Sequence, residues 1–312
     1  MLALPTSGVQ PSVAKHNSDL DVATDWLELV ALLTPGGWSI PDIVDVLIEG
    51  GIYVDQDFAS EFVESMIAEV RRRVSTMAGS HPLMIDPSSR VVAIEGRPFT
   101  GLLFCLLLSV GNSYSGWSDQ FNNNYVQQGT LFERLTVDAL RASFPGWEVL
   151  PTGWGDGQQI PLPGLVNALA EATREDVIPG WQNWVAAQGK DVGLDVAVVR
   201  RFADGAGGLP VMMWQCASGA NWKSKLSSPD TKAWNRLVTL THTPLRGLTT
   251  PVAIPLEEVK ARRNTSHGVL LDRYRLLPPS SEADWLAATT KDDVDVWNAA
   301  RCTWLVTHYP LS

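Results

Sequence analysis

The sequence has few cysteines, and they are not arranged to cross-link the chain or to bind zinc. Cys105, Cys216 and Cys302 are far apart in a chain of 312 residues, and their number is odd. Neither a disulfide framework nor a zinc-binding spacing is present. The five histidines are also scattered, and no Ser-His-Asp site can be assigned from them.

Signals for export or membrane insertion are missing as well. The N-terminal MLALPTSGVQ has neither a basic region nor a long apolar core, so we do not expect a secretory signal. The apolar run GLLFCLLLSV is shorter than the roughly 20 residues that cross a bilayer. We therefore expect a cytoplasmic protein with no membrane partner.

Positive charge is scarce overall but locally concentrated. The formal net charge of −10 at pH 7 argues against a protein that coats nucleic acid by bulk attraction. Residues 200–275, however, hold twelve Lys and Arg against five Asp and Glu. This excess is either a chance clustering on a solvated surface or a basic lobe that neutralises phosphates, and both interpretations stay open.

Helical periodicity dominates the first eighty residues. It predicts three helices, over residues 21–34, 39–51 and 57–77. Ser39 is expected to cap the second helix, with Pro41 in its first turn. The arginines 71–73 are expected to form a solvated end of the third helix, which the helix dipole favours.

A hairpin is predicted after these helices. The segment LMIDPSSRVVAIEG indicates two short strands around a Pro-Ser-Ser turn. Three helices followed by a hairpin are similar to a winged-helix module. We therefore predict a small helical N-terminal domain over residues 1–97.

The remainder, residues 98–312, is predicted to be an α/β domain with a mixed central sheet flanked by helices. PFTGLLFCLLLSV should be a buried helix, and GTLFERLTVDALRASFPGWEVL a strong helix ended by Pro145 and Gly146. Four strands are predicted: a short one directly after Pro145 and Gly146, and others in DVGLDVAVVRRF, GLPVMMWQC and TTPVAIP. The chain should return to helix from Ser281.

Polar residues interrupt the apolar patterns at three points. Glu133 lies on or beside the apolar stripe of its helix, Asp195 lies within an apolar strand, and Gln215 ends the next strand. Adjacent strands would bring Asp195 and Gln215 together at one sheet edge, with Glu133 approaching from the helix. Two carboxylates and an amide oxygen are hard ligands that suit Mg²⁺ or Mn²⁺.

A helix Glu, a strand Asp and a Gln on the next strand resemble the PD-(D/E)XK nuclease superfamily, whose fold many restriction enzymes share. The likeness covers roughly residues 127–226 and is carried by Glu133, GLDVAVV and WQCASG. The family's lysine, which polarises the attacking water, should stand at position 217, where this chain has Ala217. Lys225 or Lys223 is the expected replacement, with Lys225 slightly favoured.

This resemblance implies a restriction-endonuclease-like core and Mg²⁺- or Mn²⁺-dependent cleavage of DNA. It further implies a prokaryotic, defence-type branch in which the lysine is displaced, acting with partner subunits against phage or in restriction. The first alternative is an inactive subunit of the same fold that binds DNA or scaffolds partners, which Ala217 favours. The second is a partner-binding protein unrelated to nucleases, using the helical module and a Trp-rich surface.

Individual residues also have alternative interpretations. Glu133 can be an acid at a helix N-terminus, stabilised by the dipole. Gln215 can be a hydrogen-bonding residue at a strand end, and Asp191 competes with Asp195 as the site acid. Trp222 and Trp234, in the basic segment, are candidates for stacking on unpaired bases.

Overall fold

The computed structural model of the chain describes residues 2–9, 19–121, 125–152, 160–184, 192–266 and 268–311. The chain forms two compact units. The first unit combines Met1–Asn124 with Leu277–Ser312, and the second unit is Tyr125–Leu276. Asp191, the competing site acid, lies outside the described residues.

Twelve α-helices are present in the described part of the chain. They are α1 Leu20–Leu33, α2 Ile40–Glu49, α3 Gln56–Thr76, α4 Thr100–Val110, α5 Trp117–Gln120, α6 Tyr125–Ser143, α7 Leu162–Thr173, α8 Thr231–Trp234, α9 Leu256–Ser266, α10 Arg273–Leu276, α11 Glu282–Trp285 and α12 Ala288–His308. None of those described is both long and apolar enough to cross a membrane.

Seven strands in the described residues form two sheets. They are β1 Leu83–Ile85, β2 Val91–Ala93, β3 Glu148–Pro151, β4 Val196–Val199, β5 Val211–Cys216, β6 Leu245–Thr249 and β7 Gly268–Leu271. Strands β1 and β2 form an antiparallel pair. The larger sheet has the order β3-β4-β5-β6-β7, antiparallel from β3 to β5 and parallel from β5 to β7. The predicted α/β class and mixed sheet are thereby confirmed.

The first three helices follow the predicted signals closely. The Ser39 hydroxyl and the Asp42 carboxylate form a reciprocal capping box at the start of α2, and Pro41 lies in its first turn. Asp19 and Asp55 cap α1 and α3 through side-chain oxygens that accept main-chain N–H groups. The predicted hairpin also forms, as β1 and β2.

The prediction that the arginines 71–73 are all solvated is wrong for Arg73. Its side chain is completely buried, and its guanidinium contacts the carboxylates of Asp25, at 2.7 Å, and Glu69, at 2.8 Å. Arg73 lies three residues after the buried Val70, so it continues the apolar stripe of α3. A buried guanidinium needs anionic partners, and α1 and α3 supply them.

The predicted buried helix is α4, which packs within the first unit against both α1 and α12. The Phe104 and Trp297 rings meet edge to face with centroids 4.8 Å apart. The Asn298 amide donates to the Thr100 carbonyl at 3.0 Å, at the start of α4. The first unit therefore combines α4 with a helix from the opposite end of the chain, whereas the predicted division was after residue 97.

One predicted strand is misplaced in the second unit. The segment TTPVAIP was expected to be a strand, but β6 ends at Thr249, where that segment begins. Pro251 has no N–H to donate to a neighbouring strand, so the ladder cannot continue through it. Helices α7 and α9 and strand β7 were not predicted.

The two faces of the large sheet carry different helices. Ala197, Val199 and Met213 pack with Leu165 and Leu169 of α7 in one apolar cluster. Trp214 points to the opposite face, since side chains alternate along a strand. There its ring lies 6.4 Å from that of Phe144, which directly follows α6.

Candidate functional site

Asp195 and Gln215 meet where β4 begins and β5 ends. Val196 pairs with Trp214 in antiparallel register, which places Asp195 opposite Gln215. The Gln215 amide nitrogen donates to Asp195 Oδ2, and the Cys216 N–H donates to the same oxygen at 2.6 Å. Both side chains are buried, with 4% and 8% of their surface exposed. The structure therefore brings these two predicted residues into direct contact.

The main chain at Asp195 is held from both sides. Its N–H donates to the Trp214 carbonyl, and its own carbonyl accepts the Thr152 N–H, each at 2.9 Å. Thr152 follows β3 directly, and its hydroxyl donates to the Leu194 carbonyl at 3.0 Å. The Asp195 carboxylate thus projects from a fixed three-strand support.

Gly193 allows the Gln215 and Ser228 side chains to lie close to the backbone beside this pair. Its φ is +73°, a conformation that L side chains rarely adopt. A Cβ at this position would lie 3.1 Å from both Gln215 Oε1 and Ser228 Cβ. The turn that contains Ser228 is therefore packed against the backbone beside the Asp195–Gln215 pair.

Glu133 reaches the same strand end from α6. The pKa of the buried Cys216 thiol is raised well above its usual value, mainly by burial and next by the negative charges of Asp195 and Glu133. Hydrogen bonds with Thr249 and Thr136, one turn further along α6, oppose this rise. Glu133 is half-buried. Its charge thus acts on the residue that follows Gln215.

The two candidate lysines differ in their surroundings. Lys223 forms an ion pair with Glu258 of α9 at 2.9 Å and lies over the Trp222 ring. Lys225 is half-buried, and its carbonyl accepts the Ser228 N–H at 2.9 Å, in the turn beside Gly193. No ion pair joins the Lys225 amine to another residue in the described part of the chain. The Lys223 amine is therefore already paired with a residue of α9, whereas the Lys225 amine has no such ion pair in the described part of the chain.

Ala217, where the sequence resemblance led us to expect a lysine, is fully buried. It packs with Trp222, Leu226 and Leu248 in an apolar cluster, and its N–H donates to the Thr249 carbonyl at 2.8 Å. A lysine here would place its charge inside that cluster, at a large desolvation cost. The local packing accounts for a small apolar residue at this position.

The tryptophans of the basic segment do not form a surface for bases. Trp222 is 3% exposed and Trp234 is completely buried, each within an apolar cluster. The Lys223 amine and the Arg262 guanidinium also lie over the Trp222 ring. The prediction that these two residues stack on unpaired bases is wrong.

The donor set at the strand end is small. No three His, Cys, Asp or Glu side chains in the described part of the chain lie close enough to hold a metal ion. The predicted set has two carboxylates and one amide, so it depends on Gln215 for its third oxygen.

Sequence reasoning missed the Cys216 N–H, Thr152 and Gly193. The first of these could have been inferred, because the residue after Gln215 necessarily presents its N–H at the strand end. Comparison with protein-family models, with curated proteins and with solved structures finds no match to this chain.

Proposed function

We propose that this protein is a metal-dependent nuclease that cleaves DNA phosphodiester bonds. The observation that carries the proposal is the buried contact of Asp195 with Gln215 at a strand end, next to Cys216, on whose thiol the charges of Asp195 and Glu133 both act. Buried carboxylates are costly unless they are paired or coordinate an ion. Asp195 is paired here with the Gln215 amide and the Cys216 N–H, and a cation would be an alternative partner for the same carboxylate. In a helix-strand-strand order, the three residues match the pattern of the PD-(D/E)XK superfamily, and a restriction-endonuclease-like core is part of the proposal.

The residues fit Mg²⁺ or Mn²⁺ by the chemistry of their donors. Glu133, Asp195 and Gln215 would hold the ion through oxygen atoms, which these hard cations prefer. Gln215 directs its amide nitrogen at Asp195, and a half-turn of the amide exchanges nitrogen for oxygen. Binding would therefore replace the hydrogen bond between Gln215 and Asp195. When bound, the ion would supply Lewis-acid stabilisation of charge on the phosphate.

The surrounding chain would orient these groups. The Cys216 N–H fixes Asp195 Oδ2, and the Thr152 and Trp214 main chains fix the Asp195 backbone. Lys225 would orient the attacking water or stabilise the charge that develops on the phosphate. Lys223 is a poorer choice, because it would first have to leave Glu258.

The biological setting proposed for this activity is a prokaryotic anti-phage defence or restriction system. An acidic chain with a local excess of basic residues needs a partner subunit or duplex geometry to direct it to DNA. The proposed partners are accordingly DNA and further subunits of such a complex.

The burial of Ala217 favours one alternative. The family's lysine position is occupied by apolar packing, and one of its two possible replacements is ion-paired elsewhere. A chain that retains the acids and lacks a usable lysine would bind DNA or scaffold partners without cutting. This inactive subunit is the second candidate function.

Purified full-length protein, incubated with Mg²⁺ or Mn²⁺ and with plasmid or linear DNA, tests the two candidates. We expect cleavage that Asp195→Asn lowers by about 100-fold or more, the scale of removing one key electrostatic group. Lys225→Ala should lower it by about 10- to 100-fold, and Lys223→Ala, the matched control of equal charge, should change it little.

Absence of cutting by the wild-type protein with either metal would reject the nuclease. Binding of the same DNA in that case would support the inactive subunit. Equal loss of cleavage in Lys223→Ala and Lys225→Ala would reject the specific assignment of Lys225.

A further inference from the structure

Helix α6 carries a buried hydroxyl group one turn after Glu133. Thr136 lies among the buried residues of this helix, and none of its side-chain surface is exposed. Valine has nearly the same shape and would fill the same space, so a hydroxyl here is costly unless it has a partner. The partners of this hydroxyl therefore indicate what Thr136 contributes to the second unit.

Two neighbouring strands supply these partners. The Thr136 hydroxyl oxygen lies 3.4 Å from that of Thr249, which is also completely buried at the end of β6. Cys216 pairs with Thr249 in the parallel register of β5 and β6, and its thiol forms hydrogen bonds with both hydroxyls. The three side chains form a buried polar cluster that joins α6 to the ends of two strands.

The strand end held by this cluster is the one that carries the proposed metal ligands. Gln215 directly precedes Cys216, and the Cys216 N–H donates to Asp195 Oδ2 at 2.6 Å. The Thr249 carbonyl also accepts the Ala217 N–H at 2.8 Å, so Thr249 holds the chain beyond Gln215 through its main chain as well. The cluster therefore adjoins the Asp195–Gln215 pair directly.

A second contact of α6 lies on the other side of Glu133. A Cβ at Gly129, one turn before Glu133, would lie 3.9 Å from Ser218 Oγ, which is an ordinary van der Waals distance. Residues three and four apart lie on the same face of a helix, so Gly129, Glu133 and Thr136 share one face of α6. The segment from Cys216 to Ser218 therefore meets this face both before and after Glu133.

We propose that Thr136 is a positioning residue for the proposed metal ion. Its hydroxyl, bonded to Cys216 and Thr249, holds α6 where the helix presents the Glu133 carboxylate to the strand end. Without the hydroxyl the helix can shift, and Glu133 then contributes less to binding. Outer groups that orient metal ligands typically change metal affinity by about 10- to 100-fold. This inference rests on the proposed function, because it concerns a ligand of the proposed ion.

Titration of the full-length protein with Mn²⁺ tests this role without using cleavage. Binding is followed by calorimetry and by the electron paramagnetic resonance signal of free Mn²⁺. We expect Thr136→Val to weaken binding about tenfold. Thr136→Ser keeps the hydroxyl and should bind nearly as tightly as the wild type. Thr249→Val should also weaken binding, and the double variant should lose less than the product of the two single effects, because both changes remove one shared bond.

Thr173→Val is the matched control. The Thr173 hydroxyl is also completely buried, and it donates to the Leu169 carbonyl at 2.7 Å within α7. It lies near the opposite end of β4, where the Arg201 guanidinium donates to the Ala172 carbonyl. Its loss should lower the melting temperature and leave the Mn²⁺ affinity unchanged, which separates positioning of a ligand from a general loss of stability.

The possible failures of the inference and of the proposed function differ. Unchanged Mn²⁺ affinity in Thr136→Val, an equal loss in Thr136→Ser or an equal loss in Thr173→Val would overturn the positioning role while the metal site stands. If Thr136→Val does not fold, Thr249→Val decides by the same criterion. Wild-type protein that binds no Mn²⁺, or Asp195→Asn protein that binds it as tightly as the wild type, would reject the proposed metal site and this inference with it.

Discussion

Asp195 connects two strands through a single carboxylate oxygen. Oδ2 accepts the Gln215 amide and the Cys216 N–H, so one side chain and one main-chain group depend on it. Its burial makes this pairing necessary, because an isolated carboxylate would be strongly disfavoured there. The same oxygen is a proposed metal ligand, so metal binding and the metal-free hydrogen bonds compete for one atom.

Ala217 allows a direct test at the scale of one residue. We expect Ala217→Lys to lower the free energy of unfolding by about 3 kcal/mol or more, because it would bury a charge among apolar side chains. It should also fail to increase DNA cleavage, since that position points into the cluster with Trp222 and Leu248. Urea denaturation gives the first quantity and the plasmid assay the second.

The neighbouring Ser218→Lys is the matched control. Ser218 is half-exposed, and a lysine there should change stability by less than about 1 kcal/mol. A stable Ala217→Lys protein with increased cleavage would contradict the packing argument and would place position 217 at the active edge.

The contacts of single residues could be predicted where the local strand pattern determines them. Two polar residues at the adjoining ends of consecutive strands had to meet, and Asp195 does contact Gln215. The ion pair of Lys223 with Glu258 was not predictable, because it depends on α9, which the sequence pattern did not indicate. The burial of Trp222 likewise depends on strands that are distant in sequence.

At the scale of elements, α1 and α3 are joined by a buried charge cluster around Arg73. Its guanidinium contacts carboxylates of Asp21 and Asp25 on α1 and of Glu69 on its own helix. Removing one member of such a cluster leaves others buried without compensation. The pairing of these two helices therefore depends on electrostatics as well as on apolar packing.

Asp21 makes this helix pair sensitive to pH. Burial raises the pKa of its carboxyl from 3.8 to about 6; Arg73 opposes the rise, and Asp25 adds to it. The folded state thus holds the proton more tightly than the unfolded chain, and the stability from this group is lost as the pH rises from about 4 through 6. We expect Asp21→Asn, which stays neutral, to gain in melting temperature over the wild type between pH 4.5 and pH 7.5.

Thermal unfolding at both pH values measures this gain, and taking the difference between variant and wild type removes the contribution of the other titrating groups. Asp57→Asn, an exposed acid in the first turn of α3, should show no such change between the two pH values. A difference that stays constant for Asp21→Asn would contradict the raised pKa.

Elements with strong end signals were predictable, and those without them were not. Capping residues set the starts of α1, α2 and α3 within a residue or two of the prediction. Strand β6 is different, since Leu245–Thr249 contains an arginine and a glycine and has little apolar character of its own. Its place is decided by β5 and β7 on either side. Such tertiary pairing overrides local preference.

At the scale of the whole molecule, charge is distributed unevenly along an acidic chain. Many basic side chains of residues 200–275 are already engaged with acids or with main-chain carbonyls, as Arg262 is with Glu258 and Arg246 is with Pro229. Lys232 of α8 is exposed, and no ion pair joins it to another described residue. The number of cations left for phosphates is smaller than the composition indicates.

The salt dependence of DNA binding measures how many of these cations contact phosphates. If the second unit binds duplex DNA as proposed, Lys232→Ala should reduce the slope of log affinity against log salt by about 1, as expected for one lost phosphate contact. Lys260→Ala, whose amine is paired with Glu257 at 2.8 Å, should change the slope little. Fluorescence anisotropy of a labelled duplex at several salt concentrations gives the slope. Equal slopes for the wild type and Lys232→Ala would remove this residue from the interface.

The pairing of α4 with α12 has a consequence for the order of events during synthesis. Helix α4 is almost wholly apolar and is buried within the first unit, yet α12 emerges from the ribosome only after the entire second unit. At ~5–20 residues per second, the nascent chain would carry α4 without this partner for on the order of ten to forty seconds. The second unit, continuous in sequence, has no such wait. The nascent first unit is therefore the part of this protein that has most need of a chaperone.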